Sequence, residues 1–585
     1  PTPAAQPAAA AAQAPTKAED RSSPLRALAN PVSLEPTGKN PRQDQHLASL
    51  IERYLSRTPR SKELAQACRA GLADSRASVG FRFSTKEILY PITGAEALGS
   101  HLRDIDGNDY IDLTMGFGVL LFGNRPGFMK GVIEAEVGRG FQLGPRSDLL
   151  KEVTDLFLEM TGHERVAFTN SGTEAVMTAL RLARAATGRS KIAMFDGSYH
   201  GHSDGTLART IQANGEFRSE PLAPGVPAGV ASDVLVLEYG TDESLEILRR
   251  HAHELAAVLV EPVQSRRPDF RPVEFLRTLR ALTEESGTAL VFDEMITGFR
   301  AHQGGAQALF GVRADIATYG KIIGGGMPIG AVAGTRRFLD GIDGGYWAYG
   351  DASYPAAPRT YFGGTFCQHP FTMAAALAAL RHLKAEGPAL QERLNQRTTD
   401  LANTLNAYFE GEGLPLRVTH FASMFRLVFQ GNLDILYYHL LLRGVYIWEW
   451  RNCFLSTAHT DDDLAHFVKA IKDSVEDLRQ GGFLPERRGA TAPAQPAAAA
   501  PAPACSKAAS PARVTSPAIA RTAPLDSGKP EGFWARHRSK LGHNDTVAGD
   551  ARHHPVRQGA RTVDFGLFFF GPYSAAFSDG KYDLI

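Results

Sequence analysis

The sequence predicts an α/β protein with a mixed, mostly parallel sheet in a large domain and a smaller α+β domain after it. Two observations carry this prediction. Short apolar runs bounded by turn residues alternate with helical patterns between about residues 165 and 320, and the sequence after about Phe371 becomes mostly helical. Such alternation is typical of parallel sheets with crossover helices. With 585 residues, 43% of them hydrophobic, the chain has enough apolar material for several cores.

Five strands of the predicted sheet follow one another along the chain. They read RVAFTN, KIAMFDG, AAVLVEPV, TALVFDE and ADIATYG, and they begin at Arg165, Lys191, Ala256, Thr288 and Ala314. Apolar runs rich in β-branched and aromatic residues between turn residues are typical of strands. The smaller domain is predicted from two helical stretches, TMAAALAALRHLKAEGPALQERLNQRTTDLANTLNAYFE and DDDLAHFVKAIKDSVEDLR, with short strands between them.

Composition divides the chain into five regions. Residues 1–40 and 489–525 are rich in Pro and Ala and too poor in large apolar residues to pack, so both are predicted to be linkers. Residues 41–370 are predicted to form the N-terminal segment and the large domain, and residues 371–488 the smaller domain. In the last region, 526–585, VDFGLFFFG is predicted to be one buried strand of a truncated further domain.

The composition argues against several classes of partner. Lys+Arg and Asp+Glu both number 63, so no net field draws the chain to nucleic acid or to an acidic membrane. The four cysteines form no CxxC or Cys/His pattern, which argues against a zinc site or disulfides and favours a reducing cytoplasm. The Ala-rich N-terminus has no cationic start followed by an apolar block, so we expect neither a signal peptide nor a membrane anchor.

The segment FTNSGTEAVMTALRLARAATG indicates an anion site at the start of a helix. A strand is predicted to end at Asn170, Ser171 and Gly172 to form a turn, and an amphipathic helix to start near Thr173. Free N–H groups and the positive end of the helix would then face a phosphate. A plain capped helix is the alternative, because Ser or Thr followed by Glu is a common cap.

Two further motifs supply an aromatic ring and a carboxylate. FDGSYHGHSDG carries Tyr199 and His200 in a Gly-rich loop, where an aromatic ring can stack on a flat ligand or, alternatively, cover the core. TALVFDEMITGFR brings Asp293 and Glu294 to the carboxyl end of a strand, where ligands bind in open α/β sheets. We expect Asp293 to pair with a protonated pyridine nitrogen, and an N-cap for the next helix is the alternative.

The segment ATYGKIIGGG sets Lys321 before three glycines, one βα unit after Asp293, so both side chains are expected in one crevice. A lysine amine becomes a nucleophile when desolvation or nearby cations lower its pKa, and it then condenses with an aldehyde. The glycines would let the backbone run close to that aldehyde's ring. A surface lysine beside a flexible loop is the alternative. The later segment RTYFGGTFCQHP offers Gly364 and Thr365 to a phosphate.

In order, the motifs NSGTEA, SYHG, VEPVQ, FDEMITGFR, YGKIIGGGMPIG and GGTF resemble those of class III (fold type I) aminotransferases, which depend on pyridoxal phosphate (PLP). The most similar branch is that of glutamate-1-semialdehyde aminomutase, and the resemblance covers roughly Gln43 to Pro485. It implies two catalytic residues, Lys321 on the cofactor aldehyde and Asp293 on the ring nitrogen. The implied cofactor-binding residues are Ser171, Gly172, Thr173, Tyr199, His200, Glu261, Asp293, Met295, Lys321 and, from the other subunit of a homodimer, Thr365. The implied substrate-binding residues are Gln264 and Glu449, with Arg266 and Arg267 close by.

The flanking sequence resembles that of aminotransferase domains built into hybrid polyketide synthase/nonribosomal peptide synthetase lines. The Pro/Ala-rich linkers and the lead-in SRTPRSKELAQACRAGLADSRASVGFR carry this resemblance, and the last region resembles the start of a luciferase-like monooxygenase domain. This implies an amino acid donor and a β-ketoacyl thioester on an acyl carrier protein as acceptor. Two alternatives stay open: an internal amino transfer, as in the aminomutase, and a catalytically silent docking domain.

Overall fold

The computed structural model describes residues 40–213, 216–431 and 433–486. Apart from Asn40, the two predicted linkers and the predicted further domain at 526–585 lie outside these residues. The domain boundaries therefore stay predictions. No helix in the described part of the chain is long and apolar enough to cross a membrane.

The structure contains strands and helices in close alternation. The strands are β1 (Gly94–Leu98), β2 (His101–Asp104), β3 (Asp109–Asp112), β4 (Arg165–Thr169), β5 (Lys191–Phe195), β6 (Ala208–Ala213), β7 (Glu216–Pro221), β8 (Val234–Leu237), β9 (Leu255–Val260), β10 (Ala289–Asp293), β11 (Ile316–Gly320), β12 (Gly330–Gly334), β13 (Leu416–Phe421), β14 (Met424–Phe429), β15 (Val445–Tyr446) and β16 (Cys453–Phe454). The helices are α1 (Pro41–Arg57), α2 (Pro59–Cys68), α3 (Gly127–Arg139), α4 (Leu150–Thr161), α5 (Gly172–Thr187), α6 (Ala228–Ser232), α7 (Asp242–His251), α8 (Val273–Ser286), α9 (Gly305–Phe310), α10 (Arg336–Asp343), α11 (Pro370–Glu386), α12 (Ala389–Gly411), α13 (Ile435–Leu442) and α14 (Asp461–Gln480). Shorter turns of helix are Ser75–Ala77, Phe83–Ile88, Met115–Gly118, Asp204–Thr206 and Lys321–Gly324.

A seven-stranded sheet forms the centre of the large domain. Its strands lie in the order β4, β12, β11, β10, β9, β5, β8. β12 runs antiparallel to both β11 and β4, whereas the remaining neighbours are parallel. The predicted mixed, mostly parallel sheet is confirmed, and all five predicted strands belong to it.

Burial on both faces explains why the central strands read as unbroken apolar runs. Every residue of β9, β10 and β11 is buried. In β9, Ala257 and Leu259 belong to one core cluster, whereas Val258 and Val260 belong to another. Alternate side chains of one strand therefore enter two cores on opposite faces of the sheet, so both sets must be apolar.

The strand directions bring three loops to one edge of this sheet. β4 ends just before Ser171, β10 ends at Asp293, and β11 ends just before Lys321. Since β12 is antiparallel to both β4 and β11, these strands and β10 all run in the same direction. Their carboxyl ends meet at the edge where open α/β sheets bind ligands.

The smaller domain is built on an antiparallel sheet in the order β13, β14, β16. Helix α12 packs against β13, and α14 contacts both α12 and α13. This arrangement confirms the predicted α+β character. A four-stranded sheet in the order β1, β2, β3, β15 connects the two ends of the described chain, because β15 pairs in parallel with β3.

His101 on β2 connects this four-stranded sheet to the last helix. Its Nδ1 lies 2.9 Å from Asp109 Oδ2, and its Nε2 lies 3.1 Å from Asp463 Oδ1. Asp463 also closes the capping box of α14 with Thr460. Burial opposes a charge on the imidazole, but the two carboxylates outweigh it and raise the pKa of His101 to about 9.

This bridge predicts a pH dependence of stability. Because the folded-state pKa of His101 is raised, its contribution is complete below the ordinary value of 6.5 and is lost as the pH rises through about 9. Between pH 6 and about pH 9.5, we expect the wild type to lose about 2–3 kcal/mol more unfolding free energy than His101→Gln does. Urea unfolding of both proteins at the two pH values measures the difference, and parallel losses would contradict the prediction.

Candidate active site

Lys321 stands at the carboxyl end of β11, where the backbone turns sharply. Its φ of 47° lies in the left-handed region, which is strained for a residue with a side chain and is found most often at functional sites. Glycine is required at position 320, because a Cβ there would lie 2.8 Å from Met295 Sδ. The Lys321 side chain is half-buried, and its amine has no hydrogen bond or ion pair with the residues that the structure describes.

The charges around Lys321 come from three other residues. Burial lowers the pKa of Lys321; the carboxylates of Asp293 and Glu261 oppose this decrease, and the Arg300 guanidinium adds to it. The amine is therefore neutral at a lower pH than an exposed lysine would be. A neutral amine is the form that attacks a carbonyl carbon and accepts a proton.

Asp293 is held by three hydrogen bonds at the end of β10. Its Oδ1 accepts from the Met295 N–H at 3.1 Å and from Thr318 Oγ1 at 3.2 Å. Its Oδ2 lies 2.8 Å from His200 Nδ1, which donates to the carboxylate. The carboxylate is 4% exposed, and His200 Nε2 is buried without a hydrogen-bond partner in the described structure. Both groups are thus rigid and still able to bind a ligand.

A buried glutamate fixes the loop that carries Tyr199. Glu261 Oε2 accepts from the Tyr199 N–H at 3.0 Å, and its Oε1 accepts from the Ser265 N–H at 3.3 Å. Gln264 Nε2 donates to the Asp196 carbonyl at 2.8 Å and so holds the beginning of the same loop. The Tyr199 side chain is 48% exposed. An aromatic ring on a fixed backbone is suited to covering a flat ligand.

The start of α5 is where the sequence predicts an anion site. Ser171 Oγ accepts from the Glu174 N–H at 3.3 Å, so the serine is also a helix cap, as the alternative interpretation had it. The N–H groups of Gly172 and Thr173 have no partner among the described residues. A Cβ at Gly172 would lie 2.7 Å from Met295 Sδ. A helix cap and an anion site are compatible here. The cap uses the N–H of Glu174, and the N–H groups of Gly172 and Thr173 stay able to bind an anion.

The groups at this edge match the three polar groups of PLP. Free N–H groups at the start of α5 suit a phosphate, and the buried Asp293 carboxylate suits a protonated ring nitrogen. The unpaired amine of Lys321 suits an aldehyde. The structure therefore brings together most of the predicted cofactor residues at one edge of one sheet.

Two other predicted site residues are Glu449, which belongs to an ion cluster, and Thr365, whose turn lies next to Asn170. Glu449 Oε2 accepts from Arg82 Nη2 at 2.7 Å, and the same nitrogen lies 2.7 Å from Asp434 Oδ2. Glu449 is not among the groups whose charge acts on Lys321. Thr365 lies on an exposed turn. The proposed roles of Glu449 in substrate binding and of Thr365 in phosphate binding stay predictions.

Arg300 is a site residue that was not predicted, although FDEMITGFR ends on it. Its guanidinium is buried and donates to the Gly118 carbonyl at 2.6 Å and to Ser423 Oγ at 2.8 Å. No carboxylate pairs with it among the described residues, and burial lowers its pKa to about 9. Arg300 joins the two domains and adds positive potential near Lys321. No feature of the sequence distinguishes such an arginine from one on the surface.

Arg451 is a second residue that was not predicted. Burial lowers its pKa, Arg266 lowers it further, and Tyr199 opposes the decrease. Arg266 Nη1 in turn donates to the Gly197 carbonyl at 3.2 Å, in the loop that carries Tyr199. The mouth of the site near Tyr199 is therefore lined by two guanidinium groups.

Comparisons with known proteins agree with this geometry. The family model of aminotransferase class-III matches residues 83–447. A glutamate-1-semialdehyde 2,1-aminomutase of Alkaliphilus oremlandii is 36% identical over 406 residues, which cover 66% of this chain and 91% of that protein. The family match contains the whole seven-stranded sheet together with Asp293 and Lys321.

Solved structures show the same fold. A transaminase with PLP bound superposes with a TM-score of 0.65 at 31% identity, over 73% of this chain and 99% of that one. A β-phenylalanine aminotransferase from Variovorax paradoxus gives a TM-score of 0.65 at 29% identity, over 76% of this chain and 100% of that one. The chain therefore belongs to the class III aminotransferase family and is a PLP-dependent aminotransferase of fold type I.

Proposed function

We propose that this domain transfers an amino group from an amino acid donor to the keto group of a β-ketoacyl thioester on an acyl carrier protein. The proposed setting is a cytoplasmic megasynthase of the hybrid polyketide synthase/nonribosomal peptide synthetase type. The transfer itself is supported by one arrangement: Asp293 and Lys321 stand at the carboxyl ends of the paired strands β10 and β11, at the edge where the start of α5 offers N–H groups to an anion. The resemblance of the flanking linkers supports the carrier-bound acceptor.

Different residues of this chain have different roles in the proposed reaction. PLP, when bound, supplies an electron sink for bond cleavage at the donor's α-carbon. Lys321 Nζ takes the proton from that carbon and later returns one to the acceptor, which its lowered pKa favours. Asp293 would hold a proton at the ring nitrogen of the cofactor, and His200 Nδ1 fixes the carboxylate in place. Tyr199 would cover the cofactor ring and limit its contact with water.

A second candidate function is the internal amino transfer of an aminomutase. It is supported by the relatives at about 36% identity, which are glutamate-1-semialdehyde 2,1-aminomutases. The two functions differ in their stoichiometry. A transaminase releases one keto acid from a separate donor for each amine that it forms, whereas a mutase needs no donor.

A homodimer is part of this proposal, and a surface of exposed aromatic residues supports it. Between α10 and α11, Tyr346 is 77%, Tyr349 is 92% and Tyr361 is 79% exposed. Large exposed aromatic side chains in one segment are typical of protein interfaces. Thr365 belongs to this segment, so a second copy of the chain packed against it would bring a threonine hydroxyl to the interface. We propose that this hydroxyl completes the phosphate site of the partner.

The role of Lys321 is tested by substitution and by chemical trapping. Lys321→Ala should lower the amination rate at least ~100-fold, because the nucleophile and the proton carrier are both lost. Borohydride reduction of the wild type with PLP should add the cofactor mass to the peptide that contains residue 321. Lys191→Ala is the matched control, since Lys191 lies at the start of β5 and pairs with Glu254. Labelling of another lysine would contradict the assignment.

Donor dependence separates the two candidate functions. With PLP, glutamate or another amino acid, and a β-ketoacyl pantetheine thioester, we expect the acyl product to gain an amine. We also expect one equivalent of the donor's keto acid. Intact-mass analysis and keto acid assay report both quantities. Isomerisation of glutamate-1-semialdehyde without any donor, in which its amino group moves from carbon 2 to carbon 1, would favour the mutase if the thioester is not aminated. The isomer has the same mass and is detected by chromatography.

Mixed dimers test the contribution of Thr365 across the interface. Lys321→Ala and Thr365→Val subunits are each expected to be nearly inactive, but their mixed dimer would contain one complete site. After subunit exchange at equal amounts, activity should return to about a quarter of the wild-type value. Mixing Lys321→Ala with Asp293→Ala is the control, since both changes affect the same site and no recovery follows. Failure of the first mixture to recover would place Thr365 in its own subunit's site.

A further inference from the structure

A cavity of about 320 Å³ lies between the N-terminal segment and the smaller domain. Its walls come from α1, from residues 75–92, from α13 and from residues 446–451. This volume falls at the lower end of the range for small-molecule sites, about 300–1,000 Å³. Neither Asp293 nor Lys321 lines this cavity, so it is distinct from the cofactor site.

The cavity adjoins the mouth of the active site. Arg451 lines the cavity, and its charge interacts with Tyr199 and Arg266 at that mouth. On another wall, the Trp448 ring packs edge-on against Phe117 at 5.4 Å. Phe117 immediately precedes Gly118, whose carbonyl accepts a hydrogen bond from Arg300. The Arg300 guanidinium in turn acts on the charge of Lys321. Two walls of the cavity are therefore in contact with the surroundings of the active site.

The polar groups of the cavity wall are largely satisfied by one another. Arg82 Nη2 lies 2.7 Å from both Asp434 Oδ2 and Glu449 Oε2. Several of the tyrosine hydroxyls that line the cavity also have partners: Tyr446 accepts from Trp448 Nε1 at 2.8 Å. The hydroxyl of Tyr90 lies 2.8 Å from Thr58 Oγ1, and Tyr438 forms a hydrogen bond with the Glu449 side chain. The surface that a ligand would contact in the cavity is therefore mainly aromatic and aliphatic.

Two polar atoms of this cluster remain without a hydrogen-bond partner among the described residues. They are Arg82 Nη1 and Asp434 Oδ1, both buried. Both atoms are covered by the surrounding side chains, so they add no polar group to the surface that a ligand in the cavity would touch.

The backbone is strained at Trp450 in the wall and at Phe117, which packs behind Trp448. Both residues have a φ of 57°, in the left-handed region. Such a conformation persists where the surrounding structure fixes it, commonly at ligand sites. The Trp450 ring is fixed by Phe429 at 4.4 Å. The wall next to the reaction centre is therefore a rigid aromatic surface rather than a mobile loop.

We propose that this cavity binds the hydrocarbon chain of the amino acceptor and sets the chain length that the domain accepts. The inference rests on the proposed function, since it requires an acyl thioester as acceptor. The aromatic and aliphatic wall surrounds the chain, the keto carbon lies at Lys321, and the thioester leaves through the mouth near Tyr199 and Arg451. Burial of the chain provides the affinity for long acceptors.

Narrowing the cavity tests this inference. Val79 is half-buried and lines the cavity, so Val79→Trp would fill part of it from the rim. The probes are pantetheine thioesters of a 3-oxobutanoyl and a 3-oxododecanoyl group. With the long thioester, we expect kcat/KM to fall at least about tenfold, and with the short one to change less than about twofold. Val230→Trp, at a half-buried position in α6, is the matched control and should leave both values unchanged.

A second variant and a binding measurement keep the test decisive. Leu441→Phe narrows the cavity from α13 and should act in the same direction if Val79→Trp does not fold. Calorimetric titration with dodecanoyl pantetheine, which has no keto group, should show saturable binding that Val79→Trp weakens at least about tenfold. Equal loss for short and long thioesters, or unchanged binding in both variants, would overturn the cavity assignment. If the wild type aminates neither thioester, the proposed function fails, and the titration alone decides the cavity.

Discussion

The fixed position of the Asp293 carboxylate is the constraint on which the rest of the site depends. A carboxylate can be buried at the end of a strand only if other groups satisfy its charge. Here the pairing of β10 with β11 supplies Thr318, and the loop after β5 supplies His200. The same strand pairing brings Lys321 to the same edge. One parallel pair of strands therefore positions both ends of the cofactor site.

The large domain was predictable because its strands are buried on both faces. Continuous apolar runs such as LAAVLV in β9 and ALVF in β10 leave a clear signal, and the polar residue that ends each run marks the ligand edge. The motif residues were predictable for the same reason. Asp293, Tyr199 and Lys321 each follow a strand of this kind. Strand β12, GAVAG, was missed because small residues carry little β signal, although Gly330 is required there by the carbonyl of Ser171.

Contacts between distant segments could not be predicted from the sequence. Among the described residues, Arg300 donates hydrogen bonds to neutral groups, which come from the N-terminal segment and from the smaller domain. Glu449 was assigned to the substrate from a resemblance, whereas its partners in the folded chain are Arg82 and Asp434. No local pattern encodes these pairs, because each depends on how the smaller domain packs against the rest.

The pairing of β15 with β3 has a consequence for the synthesis of the protein. β3 ends at Asp112 and its partner begins at Val445, so the four-stranded sheet is incomplete until nearly the whole catalytic region has left the ribosome. Until then, the edge of β3 is an unpaired strand that can associate with other nascent chains. Completion of this sheet therefore waits for the residues near 446, and the long sequence separation of its strands makes their pairing slow.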